Sequence, residues 1–182
     1  ADLGAEEVRR IVADLRVFAA PRHGQEPSGD LRDALRWAID VVGEQVRRRA
    51  SFAIEIGEPP AIDGDAGRLG QVVVNLLTNA TEAIERGGPA DNLVTLRAGA
   101  DAAGHAVIEV SDTGCGIAEA RLTRIFDPFY SARRSGGGTG LGLAICQRLC
   151  EALGGKLLVH SAVGAGSSFS FSLPLELGEA TA

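Results

Sequence analysis

The sequence predicts an α+β fold, a two-layer α/β sandwich in which a mixed, mostly antiparallel sheet carries its helices on one face. Three observations predict it. Apolar residues recur at helical spacing in long segments and at alternate positions in five short ones. Two pairs of the short segments, 93–98 with 106–111 and 156–160 with 168–173, are joined by loops too short for a parallel crossover. Helical and extended segments also follow one another irregularly, unlike the strict alternation of a doubly wound sheet.

Along the chain, residues 6–20 place Val8, Ile11, Leu15 and Phe18 at steps of three, four and three, the narrow seam of a coiled coil or bundle. Burying four such side chains contributes about 6 to 12 kcal/mol before entropy, so a partner helix is expected. The alternative is a helix lying on its own domain. Residues 21–29, with two prolines, two glycines and His23, read as a linker. Asp30 is the expected N-cap of a helix whose apolar face is Leu31, Leu35, Ile39, Val42 and Val46. Arg47, Arg48 and Arg49 crowd its end, where the helix dipole favours cations without any ligand.

Residues 51–56 alternate as a strand. A long helix is expected over 63–86, with Leu69, Val72, Val73, Leu76, Leu77, Ala80 and Ile84 inward and Gly87 and Gly88 as its stop. Strands follow at 93–98, 106–111, 156–160 and 168–173, where Phe169, Phe171 and Leu173 share a face. An apolar helix is expected over 140–153.

Composition narrows the function. The 182 residues suffice for a sizeable core, and 18 Lys and Arg against 24 Asp and Glu give a net charge of −6. That balance, with Trp37 and Tyr130 isolated, argues against a nucleic-acid partner. Charges interrupt every apolar run well short of the roughly 18 residues of a membrane helix. Cys115, Cys146 and Cys150 lack both a disulfide framework and paired zinc spacing, so a cytoplasmic setting is expected. Cys146 and Cys150 lie one helical turn apart among apolar residues and read as small core side chains, the alternative being a metal or redox pair. With no methionine, the chain is expected to be a piece of a longer protein. Its 24 glycines exceed the usual share of roughly 7% and fall in clusters, as turns or ligand cradles do.

Four islands carry chemistry: NLLTNATEAI at 75–84, DTGCGI at 112–117, FDPFYSARRSGGGTGLGL at 126–143 and GAGSSFSFSLP at 164–174. Singly, each has a plain structural reading, a turn after Asp112 or satisfied polar side chains at Asn75 and Asn79. As a set they suit a nucleotide. The carboxamide oxygen of Asn79 fits a hard cation such as Mg²⁺ that bridges phosphates. Asp112 is an acceptor at a strand end, and the glycines after it would let a flat base approach the backbone. Gly136, Gly137, Gly138, Gly140 and Gly142 leave amides free at a helix start, where phosphate binds, and Arg133 and Arg134 are placed to cover a terminal phosphate.

In this order and spacing the islands resemble the asparagine, first glycine, phenylalanine, second glycine and final glycine boxes of the histidine protein kinases, within the Bergerat-fold ATPases. The resemblance runs over about 63–174. It implies an ATP-binding catalytic domain at 25–182, preceded at 1–24 by the end of a dimerisation helix and its linker. It implies ATP and Mg²⁺ as cofactors, with Asp112 on the adenine amino group and Gly114, Gly116 and Ile117 lining the base. Ser167 would support the adenine end through water. Asn75 and Asn79 would hold phosphates and Mg²⁺. Residues 129–139 would be a lid closed by Gly138, Thr139, Gly140, Leu141 and Gly142 and expected to order on nucleotide binding, and Asn75, Asn79, Arg133 and Arg134 would form the catalytic set.

The implied partners are the dimerisation hairpin, a second copy in the parent dimer and a response regulator receiver domain. Membrane contact would come only through parts of the parent outside this sequence. Two departures bear on the chemistry. Glu82 stands where many members carry a basic residue, and the histidine box is absent, since His23, His105 and His160 have the wrong neighbours. Where related hydrolases place a water-activating glutamate, this chain has Asn75, which is no general base. The alternatives are a nucleotide-sensing module without phosphotransfer and a Bergerat-fold ATPase.

Overall fold

A computed structural model describes residues 31–58, 65–130 and 139–173. Within them the chain forms helix α1 (Leu31–Arg47), strand β1 (Ser51–Ile56), helix α2 (Ala66–Ala83), strands β2 (Leu93–Ala100) and β3 (Ala106–Asp112), a short helix α3 (Glu119–Leu122), helix α4 (Gly142–Ala152), and strands β4 (Lys156–Ala162) and β5 (Gly166–Leu173). The expected Asp30 cap and the seam of Val8, Ile11, Leu15 and Phe18 lie outside the described residues.

The five strands form one sheet in the order β1-β2-β3-β5-β4. β1 and β2 run parallel and every other neighbouring pair is antiparallel, so the expected mixed sheet is the one observed. Both short-looped pairs are hairpins. The β3–β5 pairing, which joins the two hairpins and sets Asp112 opposite Ser167, was not legible in the spacing.

One face of the sheet is apolar because β3 and β5 alternate strictly. Ala106, Ile108 and Val110 on β3 and Phe169, Phe171 and Leu173 on β5 are buried, while Ser168, Ser170 and Ser172, which alternate with the last three, face the other side. Helix α2 lies on this face and buries Leu69, Val72, Val73, Leu76 and Leu77 completely. Helix α1 packs beside it, and Gly70 sets their approach, since a Cβ there would stand 2.8 Å from the Trp37 ring. Across the outer face Arg97 pairs with Glu55 at 2.7 Å and Glu109 at 3.5 Å.

Helix boundaries differ from the sequence expectation for local reasons. Helix α2 begins after Asp65, whose carboxylate accepts the Gly67 and Arg68 N–H groups at 3.1 and 3.2 Å. It ends at Ile84, not at Gly87. Ile84 turns to extended backbone with its side chain in the core, and its carbonyl oxygen accepts from the Arg49 guanidinium at 3.1 Å. Gly140, with φ of 68°, stays outside α4, which starts two residues later. The arginine run is accounted for within the protein: Arg47 lies over the Phe52 ring at 5.4 Å, Arg48 pairs with Glu44, and Arg49 holds Ile84. Individual contacts, beyond the helix dipole, thus explain it.

Candidate nucleotide-binding site

The end of α2 and the β4–β5 hairpin corner meet around the loop 112–117, and the start of α4 lies beside Asn79 on α2. Asp112 closes β3 on the apolar side of the sheet and is only 7% exposed. Its carboxylate accepts the Gly114 N–H at 2.8 Å and is also bonded by the Ser167 backbone N–H. Burial outweighs these two bonds and raises its pKa from 3.8 to about 6. At neutral pH the site therefore presents a buried carboxylate with no cation bound to it among the described residues.

Thr113, Gly114, Cys115 and Ile117 are each held by a hydrogen bond from the backbone N–H. Thr113 exchanges bonds with Leu93, its N–H donating to the Leu93 carbonyl at 3.1 Å and its hydroxyl accepting the Leu93 N–H at 2.9 Å. The Cys115 N–H donates to Ala83 O at the end of α2 at 3.0 Å, and its carbonyl accepts from Gly164 at 2.8 Å. Ile117 donates to Ser161 Oγ at 2.8 Å. The glycines are required by this packing. A Cβ on Gly114 would stand 2.5 Å from Ala83 O, and one on Gly116, at φ of 68°, would stand 1.9 Å from Ala162 O. Sequence reasoning assigned these glycines to a ligand's approach; at both positions the space is taken by the chain itself.

Asn75 and Asn79 lie one turn apart on α2, both half-buried. Asn75 Oδ1 accepts from Gln71 Nε2 at 3.3 Å and its carboxamide also reaches the buried Cys146 thiol. Asn79 differs. Its Nδ2 is buried and has no hydrogen-bond partner among the described residues. A Cβ placed on Gly142, the first residue of α4, would be 3.9 Å from both polar atoms of that carboxamide. Helix α4 carries no side-chain cap at this end, which lies beside that carboxamide. A buried unpaired amide nitrogen costs about 1 to 3 kcal/mol; a phosphate oxygen accepting from Nδ2 would remove that cost and leave Oδ1 as the acceptor that a cation can use. The residues present thus fit a phosphate and its cation.

Phe129 and Gly140 bring the two ends of the glycine-rich stretch together. The Phe129 N–H donates to Gly140 O at 3.0 Å, and a Cβ on Gly140 would stand 2.5 Å from the Phe129 carbonyl carbon. Thr139 and Leu141 are half-buried beside it, the Thr139 hydroxyl accepting from the Leu141 N–H at 3.4 Å. Arg133, Arg134 and Gly138, with the rest of 131–138, lie outside the described residues. Cys146 and Cys150 are buried core side chains: burial pushes both thiols up, Cys150 to about 12. Ser161 was missed in the sequence because a serine in an alternating strand carries no signal of its own.

Residues 64–177 match the family model described as histidine kinase-, DNA gyrase B-, and HSP90-like ATPase. The chain belongs to this ATPase family. It is 33% identical over 173 residues to the sensor histidine kinase ZraS of Klebsiella oxytoca, a match covering 94% of this chain and 36% of that protein. It is 39% identical over 140 residues to the sensor protein TorS of Escherichia coli K12, covering 77% of this chain and 14% of TorS. Among solved structures, full-length ShkA in complex with AMPPNP superposes with a TM-score of 0.70 at 32% identity, over 93% of this chain and 35% of ShkA. The mycobacterial sensor histidine kinase MprB gives 0.69 at 28% identity, over 80% of this chain and 95% of that one. This ATPase-family chain therefore spans about a third of ZraS and nearly the whole of the MprB structure, and its fold is that of histidine kinase catalytic domains. Among the described residues, no helix is long and apolar enough to cross a membrane.

Proposed function

We propose that this chain binds Mg·ATP and donates the γ-phosphate to a histidine on a dimerisation hairpin, for onward transfer to a response regulator. The observation that carries the reading is the orphaned Asn79 amide, buried against the uncapped start of α4. In this reading Asp112 accepts from the adenine amino group, while Asn79 and the first amides of α4 hold the phosphates. Asn79 Oδ1 would be the chain's ligand to Mg²⁺, which when bound neutralises phosphate charge. Arg133 and Arg134 are assigned to the terminal phosphate. Transfer then rests on positioning and charge neutralisation, which dominate phosphoryl-transfer catalysis. Asn75 supports a kinase over a hydrolase, since a carboxamide cannot deprotonate water at neutral pH. The ShkA neighbour, a histidine kinase structure holding AMPPNP, is consistent with this reading.

Incubated with γ-labelled ATP, the chain alone is expected to bind nucleotide yet neither label itself nor hydrolyse it appreciably. A separate hairpin bearing an intact histidine box should become labelled. Label on His23, His105 or His160 would refute the assignment, and bound nucleotide without labelled hairpin would mark a nucleotide-sensing module. Asn79→Ala is expected to abolish the preference for Mg·ATP over ATP in chelator and to leave adenosine recognition in place. The helix should survive, because alanine is the better helix former. Calorimetry showing an undiminished magnesium preference would make Asn79 a structural residue.

A further inference from the structure

The corner between β4 and β5 holds a hydrogen-bond hub. Ser161 Oγ accepts the Ile117 N–H at 2.8 Å, stands 2.8 Å from the Gly166 carbonyl oxygen, and lies 3.0 Å from Ser167 Oγ. A serine hydroxyl has one proton, and a carbonyl oxygen only accepts. The Ser161 proton is therefore spent on Gly166 O. In the serine pair the donor must then be Ser167, whose own proton is spent on Ser161, leaving its remaining lone pairs as acceptors.

Ser167 sits opposite Asp112 in the β3–β5 ladder, on the same face of the sheet, and is itself 7% exposed. Its backbone N–H bonds the Asp112 carboxylate. Two side chains next to each other thus offer only lone pairs. A base edge bearing an amino group can satisfy them, whereas a carbonyl oxygen would face acceptors with no proton between.

We propose that Ser161 is a positioning residue for base selection: by consuming the Ser167 proton it keeps this end of the pocket free of donors, and so selects an amino-bearing purine over a carbonyl-bearing one. The proposal rests on the nucleotide reading of the site and adds to it a side chain that touches no nucleotide. In Ser161→Ala the Ser167 hydroxyl is released and can turn its proton toward a carbonyl oxygen, so the variant should tolerate hypoxanthine. Ser161→Thr keeps the hydroxyl at a strand position that suits a β-branched residue.

The readout is the ratio of ITP to ATP dissociation constants, measured by calorimetry on the full chain. General loosening of the pocket weakens both nucleotides and leaves the ratio in place. The wild type should prefer ATP. Ser161→Ala should reduce the ratio about five-fold or more, Ser161→Thr should restore it, and adding Ser161→Ala to Ser167→Ala should change it no further. Should Ser161→Ala fail to fold, Ser161→Cys, close in size but a poor acceptor, releases the Ser167 proton in the same way and should lower the ratio in the same direction. A wild-type preference for ATP that survives loss of the Ser161 hydroxyl overturns the role of Ser161, whatever Ser167→Ala does. Equal wild-type affinity for ATP and ITP, or no binding of either, overturns the adenine reading and the proposal with it.

Discussion

Asp112→Asn is expected to weaken ATP binding about 10-fold to 150-fold, the loss of roughly 1.5 to 3 kcal/mol that follows when a charge-assisted hydrogen bond is reduced to a neutral one. The same substitution should stabilise the nucleotide-free chain above neutral pH. In the unfolded chain Asp112 titrates near its ordinary 3.8, and in the fold near about 6, because burial opposes its charge. Between these values the folded state holds the extra proton, so stability falls as pH rises through the window. Above about pH 6 the cost is fully present, on the order of 3 kcal/mol. Asparagine still accepts from the Gly114 and Ser167 amides through its oxygen but has no charge to desolvate.

Thermal melts should therefore show the wild type losing stability relative to Asp112→Asn from pH 4 to pH 7, with the variant several degrees above it at pH 8. ATP affinity of the wild type should fall as pH drops through about 6, since the acceptor is then protonated. Calorimetry showing unchanged ATP affinity in the variant would remove Asp112 from the base pocket. A wild-type melting profile with no fall relative to the variant between pH 4 and pH 7 would show that burial does not hold the carboxyl as described.

Much of this site was legible because the fold is built from repeating patterns. The seven inward residues expected for α2, from Leu69 to Ile84, are all buried, and both hairpins form where loop length required them. Ends were less legible, because they depend on partners far along the chain. Ile84 leaves the helix where Arg49 takes its carbonyl oxygen, and Ala83 O is taken by the Cys115 N–H. Neither contact has a sequence period. The roles proposed for Asn79 and Asp112 follow from residue chemistry, but what surrounds them does not. Ser161 and Ser167 are ordinary serines in alternating strands, and only the β4–β5 register brings their hydroxyls to 3.0 Å. The glycines of DTGCGI were visible as a cluster, yet their reason is steric closure between backbone segments, which composition does not report.

That closure predicts the largest stability effects, and four glycines separate its two components. A Cβ on Gly99 would meet nothing within 4 Å, and its φ is not positive, so Gly99→Ala should lie within about 0.5 kcal/mol of wild type. Gly164 has φ of 78° and equally open surroundings, so Gly164→Ala isolates backbone strain, about 1 to 2 kcal/mol. Gly114 has no positive φ but would put a Cβ 2.5 Å from Ala83 O, so Gly114→Ala isolates the collision, about 1 to 3 kcal/mol. Gly116 combines φ of 68° with a Cβ 1.9 Å from Ala162 O. Neither carbonyl oxygen is the tip of a flexible side chain, so relief requires moving the loop that follows Asp112 away from the hairpin corner. Gly116→Ala should therefore cost at least the sum of the two separate effects, about 2 to 5 kcal/mol, and should weaken ATP binding even where the chain still folds, because Ile117 and Ser161 are pulled apart with it. Urea unfolding of the four variants, with ATP titrations of those that remain folded, measures both. A Gly116→Ala chain as stable as Gly164→Ala would show that the loop yields freely, and the close backbone approach would then have no part in holding the base end of the site.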